Sequence, residues 1–293
     1  NSFCTLLAWS MKSRSSPGQV PAMPPAISLI AHRGNKKLYR AESTTMDVDD
    51  RYDVLSVIGR GSYGVVVKCD DAVTGRRVAI KKIEHVFADL IDGRRIWREL
   101  TVLRLLRDAQ ARNVMAVSRL QQPTEDLSRF QDIYLVTDLY TGDLTSVPVS
   151  HLTHIGARTG AAKPTLGDGL RCVLADVLTG VADMHALGII HRDLKPQNVL
   201  ADSHNRFFLC DFGLARGGLE RVASLPASFT DHVVTRWYRA PELLVMGGYH
   251  YPIDVFSVAC VAAEVALKKP LFPGRDYLDQ LRLLAGGPPP PGG

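Results

Sequence analysis

The sequence predicts an α+β protein with two lobes, a small one built mostly of β-strands and a larger one built mostly of helices. Residues 52–83 are rich in β-branched and aromatic residues separated by turn-forming glycines, and residues 133–138 have the composition of a further strand. Later in the chain, an amphipathic helix is predicted from apolar residues at helical spacing, namely Leu170, Val173, Leu174, Val177, Val181 and Met184. Residues 254–267 are apolar nearly all round, which is typical of a helix buried in the larger lobe.

A charged pair is predicted between the strands and the helix that follows them. Residues 92–107 have Ile96, Leu103 and Leu106 at helical spacing, and Glu99 lies on the same face. A carboxylate that faces a core is costly unless an opposite charge is near it. Lys81 ends the strand-like run at residues 78–81, so we predict that Lys81 pairs with Glu99.

A glycine-rich stretch at residues 59–64 indicates a phosphate-binding turn. Where side chains are missing, the backbone can approach phosphate oxygens closely. One alternative is a dinucleotide-binding turn, which opens a helix and has an acidic residue about 20 positions later. This stretch continues instead into Val65, Val66 and Val67, so a strand hairpin is predicted.

A cluster of polar groups lies in residues 191–198 and 210–213. Asp193 and Asp211 supply two carboxylates, Asn198 supplies an amide and Lys195 supplies an ammonium. Phosphoryl transfer needs an oriented hydroxyl acceptor, hard oxygen ligands for Mg²⁺ and positive charge near the phosphates. These residue types provide each of those, so the cluster favours chemistry on a magnesium nucleotide.

With these motifs in this order, the chain from Tyr52 to Leu284 resembles a eukaryotic protein kinase. The resemblance implies a bilobal kinase fold with ATP and Mg²⁺ between the lobes. In that arrangement Asp193 orients the substrate hydroxyl and accepts its proton, and Lys195 steadies the γ-phosphate. Asn198 and Asp211 hold the metal, while Lys81 binds the α- and β-phosphates and is fixed by Glu99. The nucleotide would contact Ile58, Gly59, Arg60, Gly61, Ser62, Tyr63, Gly64, Val65, Val66, Ala79, Lys81, Thr137, Asp138, Tyr140 and Leu200. Asp254 resembles the family residue that braces the catalytic loop.

The branch of the family is indicated by residues 235–242 and 272–281, which are similar to MAP kinases and cyclin-dependent kinases. Residues 134–139 and 272–281 favour MAP kinases, whereas Gln197 favours the other group. This resemblance implies protein substrates in which proline follows the serine or threonine, since proline brings no backbone N–H to the substrate pocket. Thr235, Arg236 and Arg239 would form the pocket for that proline.

The activation segment departs from the MAP kinase pattern. MAP kinases carry Thr-x-Tyr there, and this chain has Thr230, Asp231 and His232. A phosphate on Thr230 would add nearly two negative charges, which Arg98, Arg192 and Arg216 would attract in the family's arrangement. We therefore expect Thr230 to be the phosphate acceptor, with an upstream activating kinase or self-phosphorylation as the source.

Composition argues against other classes of function. The net charge is +5, but residues 1–41 contain six Lys and Arg and no Asp or Glu, which leaves the rest of the chain at −1. A nucleic-acid groove is therefore not expected.

No segment has the apolar length of a membrane span. The five cysteines show neither disulfide nor metal spacing, so we expect a reducing compartment, the cytoplasm or the nucleus. The sequence leaves the oligomeric state open.

Three segments are predicted along the chain. Residues 1–48 are expected to be mostly disordered because Pro and Ser are frequent there, and an organelle transit peptide is the alternative. Residues 49–284 form the kinase-like domain, with the small lobe at 49–138 and the large lobe at 143–284, and residues 285–293 form a Gly/Pro-rich tail. Because kinases continue through further helices, a truncated large lobe is expected here. A nucleotide-binding interaction module without turnover is therefore a further alternative to an enzyme.

Overall fold

The computed structural model describes residues 27–61, 64–121, 130–217, 235–245 and 250–286. Its first three strands form a separate antiparallel sheet, with β1 at Ile27–Arg33, β2 at Lys36–Ala41 and β3 at Thr44–Asp49. Both connections are two-residue turns, and each contains a residue at positive φ, Gly34 at +60° and Glu42 at +56°. The prediction of disorder is therefore wrong for residues 27–48, whereas residues 1–26 lie outside the described part of the chain.

The missed sheet forms because its strands have an apolar face to cover. Met46 and Val48 are fully buried, and they alternate with residues that face outward. Together with Tyr39 and Ala41 they pack on the five-stranded sheet that follows, against Val65, Val67, Ile80 and Val136, among others. The Pro/Ser-rich composition of residues 13–25 does not extend into these strands.

The second sheet contains five strands in the order β4, β5, β6, β8, β7. These strands are β4 at Tyr52–Gly61, β5 at Gly64–Asp71, β6 at Arg76–Ile83, β7 at Val117–Gln121 and β8 at Ile133–Asp138. The hairpin of β4 and β5 confirms the predicted strand hairpin and rules out a glycine-rich turn that opens a helix. Gly64 is required at its position, because φ is +141° and an added Cβ would overlap the carbonyl oxygen of Lys82.

Neighbouring lysines of β6 face opposite sides of this sheet. Lys81 pairs in register with Val66 and Leu135, which face the main core together with helix α1 (Leu90–Asp108). Lys82 points the other way and donates hydrogen bonds to the carbonyl oxygen of Thr45 at 3.0 Å and to Glu84 at 2.9 Å. Helix α1 confirms the predicted helix, and Glu99 is on its buried face.

The larger, mainly helical part contains α2 at Val149–Gly156, α3 at Leu166–Ala186, α4 at Pro241–Leu244, α5 at Pro252–Leu267 and α6 at Tyr277–Leu284. Helix α3 confirms the helix predicted from apolar spacing, and α5 confirms the one predicted because residues 254–267 are apolar nearly all round. Helix α3 begins with a capping box made by Thr165 and Asp168. Helix α2 was not predicted, since glycine and proline interrupt residues 142–163. Among the described residues, no helix has the length and apolar character needed to cross a membrane.

Short strands position the residues that connect the two parts. The pairs are β9 (Gly142–Asp143) with β11 (Val199–Ala201), β11 with β12 (Phe207–Leu209), and β10 (Ile189–Ile190) with β13 (Arg216–Gly217). Because these pairs are antiparallel, the segments at residues 191–198 and 210–215 run side by side. The predicted polar cluster is therefore brought together by the fold.

Candidate active site

One buried carboxylate, that of Asp254, fixes the backbone at the start of the segment at residues 191–198. Asp254, at the start of α5, accepts hydrogen bonds from the backbone N–H groups of His191 (2.8 Å) and Arg192 (2.9 Å). It also accepts one from Nε2 of His185 at 2.8 Å. Arg192 has a φ of +70°, a conformation that non-glycine residues adopt only when neighbouring contacts impose it. Asp254 thus fixes a strained backbone directly before Asp193.

His191 connects this segment to the next one, and sequence reasoning gave it no role. Its Nε2 donates to the carbonyl oxygen of Cys210 at 3.0 Å, while its Nδ1 accepts from the N–H of Asp193 at 3.3 Å. These two partners require the neutral Nε2–H tautomer. The only signal in the sequence was its place as the first residue of the polar motif.

Asp193 is the acceptor at the centre of the segment. Its carboxylate is buried and lies 2.6 Å from Nζ of Lys195 and 3.0 Å from Nδ2 of Asn198. Burial raises the pKa of Asp193 and the negative charge of Asp211 adds to the rise, whereas Lys195 opposes it. The carboxylate is therefore oriented by two donors and is a stronger base than an exposed aspartate.

The side chains of Asn198 and Asp211 carry oxygen atoms of the kind that Mg²⁺ prefers as ligands. Nδ2 of Asn198 donates to the carbonyl oxygen and the carboxylate of Asp193, and its Oδ1 is buried with no hydrogen-bond partner among the described residues. The N–H of Cys210 donates to the carbonyl oxygen of Asn198 at 3.0 Å, which places Asp211 beside it. The described residues hold no cluster of three or more His, Cys, Asp or Glu that suits a metal ion. Mg²⁺ commonly uses one or two protein carboxylates, with phosphate oxygens and water as its other ligands, so this donor set fits it.

Lys81 and Glu99 lie close together on the other side of the site. Both are buried, with 5% and 9% of their surface exposed. Burial lowers the pKa of Lys81, and the charges of Glu99 and Asp211 oppose that shift. Burial raises the pKa of Glu99, which Lys81 opposes and Asp211 reinforces. Asp211 therefore lies within electrostatic range of Lys81, Glu99 and Asp193, and the two halves of the predicted site face a common centre.

Most of the predicted nucleotide contacts lie in the main apolar core or in the strands that border it. Ile58, Val66, Ala79, Tyr140 and Leu200 belong to one apolar cluster. Thr137 is fully buried next to Ala79 across the β6–β8 pair, and Asp138 follows it at the exposed end of β8. Gly59 pairs with Val66, and Gly61 pairs with Gly64. Ser62 and Tyr63 lie outside the described residues.

Arg60 and Val65 are exceptions, because their side chains are on the opposite face of the sheet. Val65 is buried against the three-stranded sheet, and Arg60 is its cross-strand neighbour. Nε of Arg60 lies 2.8 Å from Oε2 of Glu42. The Arg60 side chain therefore contacts the β2–β3 turn, and only the backbone of Arg60 contributes to the glycine-rich hairpin.

Three predicted regulatory arginines converge on one short backbone segment. Arg98 donates to the carbonyl oxygen of Gly213 at 3.2 Å, Arg192 donates to that of Leu214 at 3.3 Å, and Arg216 donates to that of Ala215 at 3.1 Å. The structure thus brings together guanidinium groups from α1, from the segment at residues 191–198 and from β13. Thr230 and His232 lie outside the described residues.

The predicted proline pocket follows in residues 235–245. Arg236 and Arg239 are half-buried, and the backbone N–H of Arg239 donates to the carbonyl oxygen of Arg236 at 3.1 Å. Thr235 is exposed. The segment is anchored to α5 by Tyr238, whose hydroxyl donates to Glu264 at 2.6 Å and whose carbonyl oxygen accepts from Ser257 at 2.7 Å.

Comparison with known proteins identifies a family for most of the chain. A family model described as "Protein kinase domain" matches residues 52–284. Mitogen-activated protein kinase 4 of Oryza sativa subsp. japonica is 39% identical over 250 residues, which cover 85% of this chain and 63% of the relative. The same values hold for mitogen-activated protein kinase 14 of Arabidopsis thaliana. Mitogen-activated protein kinase 8 of Arabidopsis thaliana is 41% identical over 246 residues, which cover 83% of this chain and 39% of the relative. The chain therefore spans less than two thirds of each of these relatives.

Proposed function

The chain belongs to the protein kinase domain family, and on that premise we propose that it is a MAP kinase-like serine/threonine kinase that uses ATP and Mg²⁺. The observation that carries the proposal is the convergence of Lys81, Glu99, Asp193 and Asp211 on one centre, where the charge of Asp211 raises the pKa of each of the other three groups. A second observation supports it. Oδ1 of Asn198 is buried without a hydrogen-bond partner among the described residues, which a purely structural network of ion pairs would not explain and a bound metal ion would.

Each of these residues has a distinct task in this proposal. Magnesium-bound ATP supplies the phosphoryl group. Asn198 and Asp211 would hold the metal, and Lys81, kept in place by Glu99, would bind the phosphates. Asp193 orients the hydroxyl of the substrate serine or threonine and accepts its proton, since its pKa is raised and two donors fix its carboxylate. Lys195 lies 2.6 Å from Asp193, from where its positive charge counters the charge that spreads over the phosphoryl oxygens.

A phosphoryl-transfer assay with labelled ATP and matched Ser-Pro and Ser-Ala peptides tests this function. We expect the chain to phosphorylate the Ser-Pro peptide with a higher kcat/KM than the Ser-Ala peptide. Asp211→Asn should lower kcat at least about a hundredfold, because it removes a carboxylate from the metal site. Transfer that is unaffected by Asp211→Asn would contradict the assignment, and equal rates on the two peptides would contradict the preference for proline.

Activation by phosphorylation of Thr230 is supported by the three arginines around residues 213–215. A phosphate can form several charge-assisted hydrogen bonds with such a cluster, which would order the segment that carries it. An upstream activating kinase or self-phosphorylation would supply this phosphate.

Thr230→Ala is expected to lower activity by about tenfold relative to protein shown by mass spectrometry to be phosphorylated at Thr230. Thr153→Ala, at an exposed threonine of α2, is the matched control and should keep full activity. Equal activity of Thr230→Ala and the phosphorylated protein would exclude this switch.

A further inference from the structure

The turn between β2 and β3 contacts the strand that leads into the glycine-rich hairpin. Two side chains of this turn and one carbonyl oxygen at the end of β2 surround the Arg60 guanidinium. Nε of Arg60 lies 2.8 Å from Oε2 of Glu42, one terminal nitrogen donates to Oγ of Ser43 at 3.0 Å, and the other donates to the carbonyl oxygen of Ala41 at 3.3 Å. Both side chains of the ion pair are about one third exposed.

The backbone on either side of Arg60 belongs to the nucleotide site of the proposed function, on which this inference rests. Gly59 and Gly61 flank Arg60 in β4, and they pair with Val66 and Gly64 of β5. The register of this pair shifts between Val57 and Gly59, so an irregularity interrupts the ladder directly before these last three pairs. The side-chain contacts of Arg60 add a constraint on this short end of β4 from the opposite face of the sheet.

From this geometry we propose that Glu42 is a positioning residue for nucleotide binding, which acts through Arg60 on the backbone of Gly59 and Gly61. The three-stranded sheet, which lies ahead of the family match at residues 52–284, thereby becomes part of the ATP site without touching the nucleotide. The turn is suited to this task, because two-residue connections between paired strands have little conformational freedom.

Glu42→Gln tests the proposal, since it removes the charge and keeps the shape of the side chain at a position with positive φ. We expect the KM for ATP and the dissociation constant for a fluorescent ATP analogue to rise about threefold, the size expected for a partly exposed ion pair. The kcat and the KM for the peptide should remain unchanged. Hydrogen exchange of backbone amides at residues 59–61 should become faster.

Asp53→Asn is the matched control. Asp53 accepts from Lys37 at 2.9 Å, so this pair also joins the three-stranded sheet to β4, but at the end far from the glycines. The control should leave nucleotide affinity and exchange at residues 59–61 unchanged. If Glu42→Gln changes neither nucleotide affinity nor exchange at residues 59–61, or changes only the melting temperature, the proposal is wrong. Absence of transfer by the unaltered chain would overturn the proposed function instead, whereas nucleotide affinity and hydrogen exchange would still decide the role of Glu42.

Discussion

Replacing Asp193 with asparagine is expected to lower kcat for phosphoryl transfer by about a thousandfold, within the range that a positioned general base contributes. Asparagine keeps the shape of the side chain and can still contact Lys195, but it cannot accept the hydroxyl proton. The KM for ATP should change little, because Lys81 and Asp211 remain. Steady-state kinetics with the Ser-Pro peptide, together with a thermal unfolding curve, measures both effects.

Asp183→Asn is the matched control for the Asp193 experiment. Asp183 lies on helix α3 and is also an aspartate held by a cationic side chain, since it forms a two-point ion pair with Arg112. It is not one of the residues assigned to the site. Its kcat should equal that of the unaltered chain. A loss smaller than tenfold for Asp193→Asn in folded protein would contradict the role of Asp193 as the base.

Asp254→Asn is expected to destabilise the fold by about 2–3 kcal/mol and to lower kcat as well. The fully buried carboxylate accepts three hydrogen bonds, and an amide would place a donor opposite one of those donors. For a domain of this size, the loss corresponds to a melting temperature lower by about 5–10 °C. The kcat of the fraction that remains folded should also fall, because the strained backbone at Arg192 loses its support.

Asp176→Asn separates the two effects of that substitution. Asp176 is buried, accepts a two-point ion pair from Arg158 and accepts the backbone N–H of Phe207, so its loss should also destabilise the fold. It does not hold the segment at residues 191–198, and its folded fraction should keep a normal kcat. A melting temperature of Asp254→Asn within about 1 °C of the unaltered chain would contradict the bracing role.

The polar cluster could be predicted from sequence because its members are close along the chain. Asp193, Lys195 and Asn198 lie within six residues, and the antiparallel pair of β11 and β12 adds Asp211. Helical spacing placed Glu99 on the buried face of α1, and the structure has it there. Their roles in ATP and metal binding remain predictions.

The three-stranded sheet was missed although local signals were present. Gly34 and Asn35 form a two-residue hairpin turn, and Met46 and Val48 alternate with outward-facing residues. Composition averaged over residues 1–48 concealed these signals, because the Pro/Ser-rich part dominated the average. Residues 27–48 considered by themselves show the alternation that is typical of strands.

The direction of the Arg60 side chain could not be predicted from sequence. Strict alternation along β4 assigns each residue to one face, but the register of the β4–β5 pair shifts at two places. A shift by one residue moves every later side chain to the opposite face. Only the three-dimensional structure shows that Arg60 points to the three-stranded sheet.

Opposite orientation of two adjacent lysines restricts how β6 can vary in length. Inserting or deleting one residue before Lys81 would move each ammonium group to the opposite face of the sheet, so that Lys82 loses Thr45 and Glu84 and Lys81 loses Glu99. Both lysines are buried, and each shifted ammonium would lose the counter-charge that it has in the structure. We therefore expect changes in chain length near this strand to be tolerated only in the exposed turn at residues 72–75, where they leave both lysines in place.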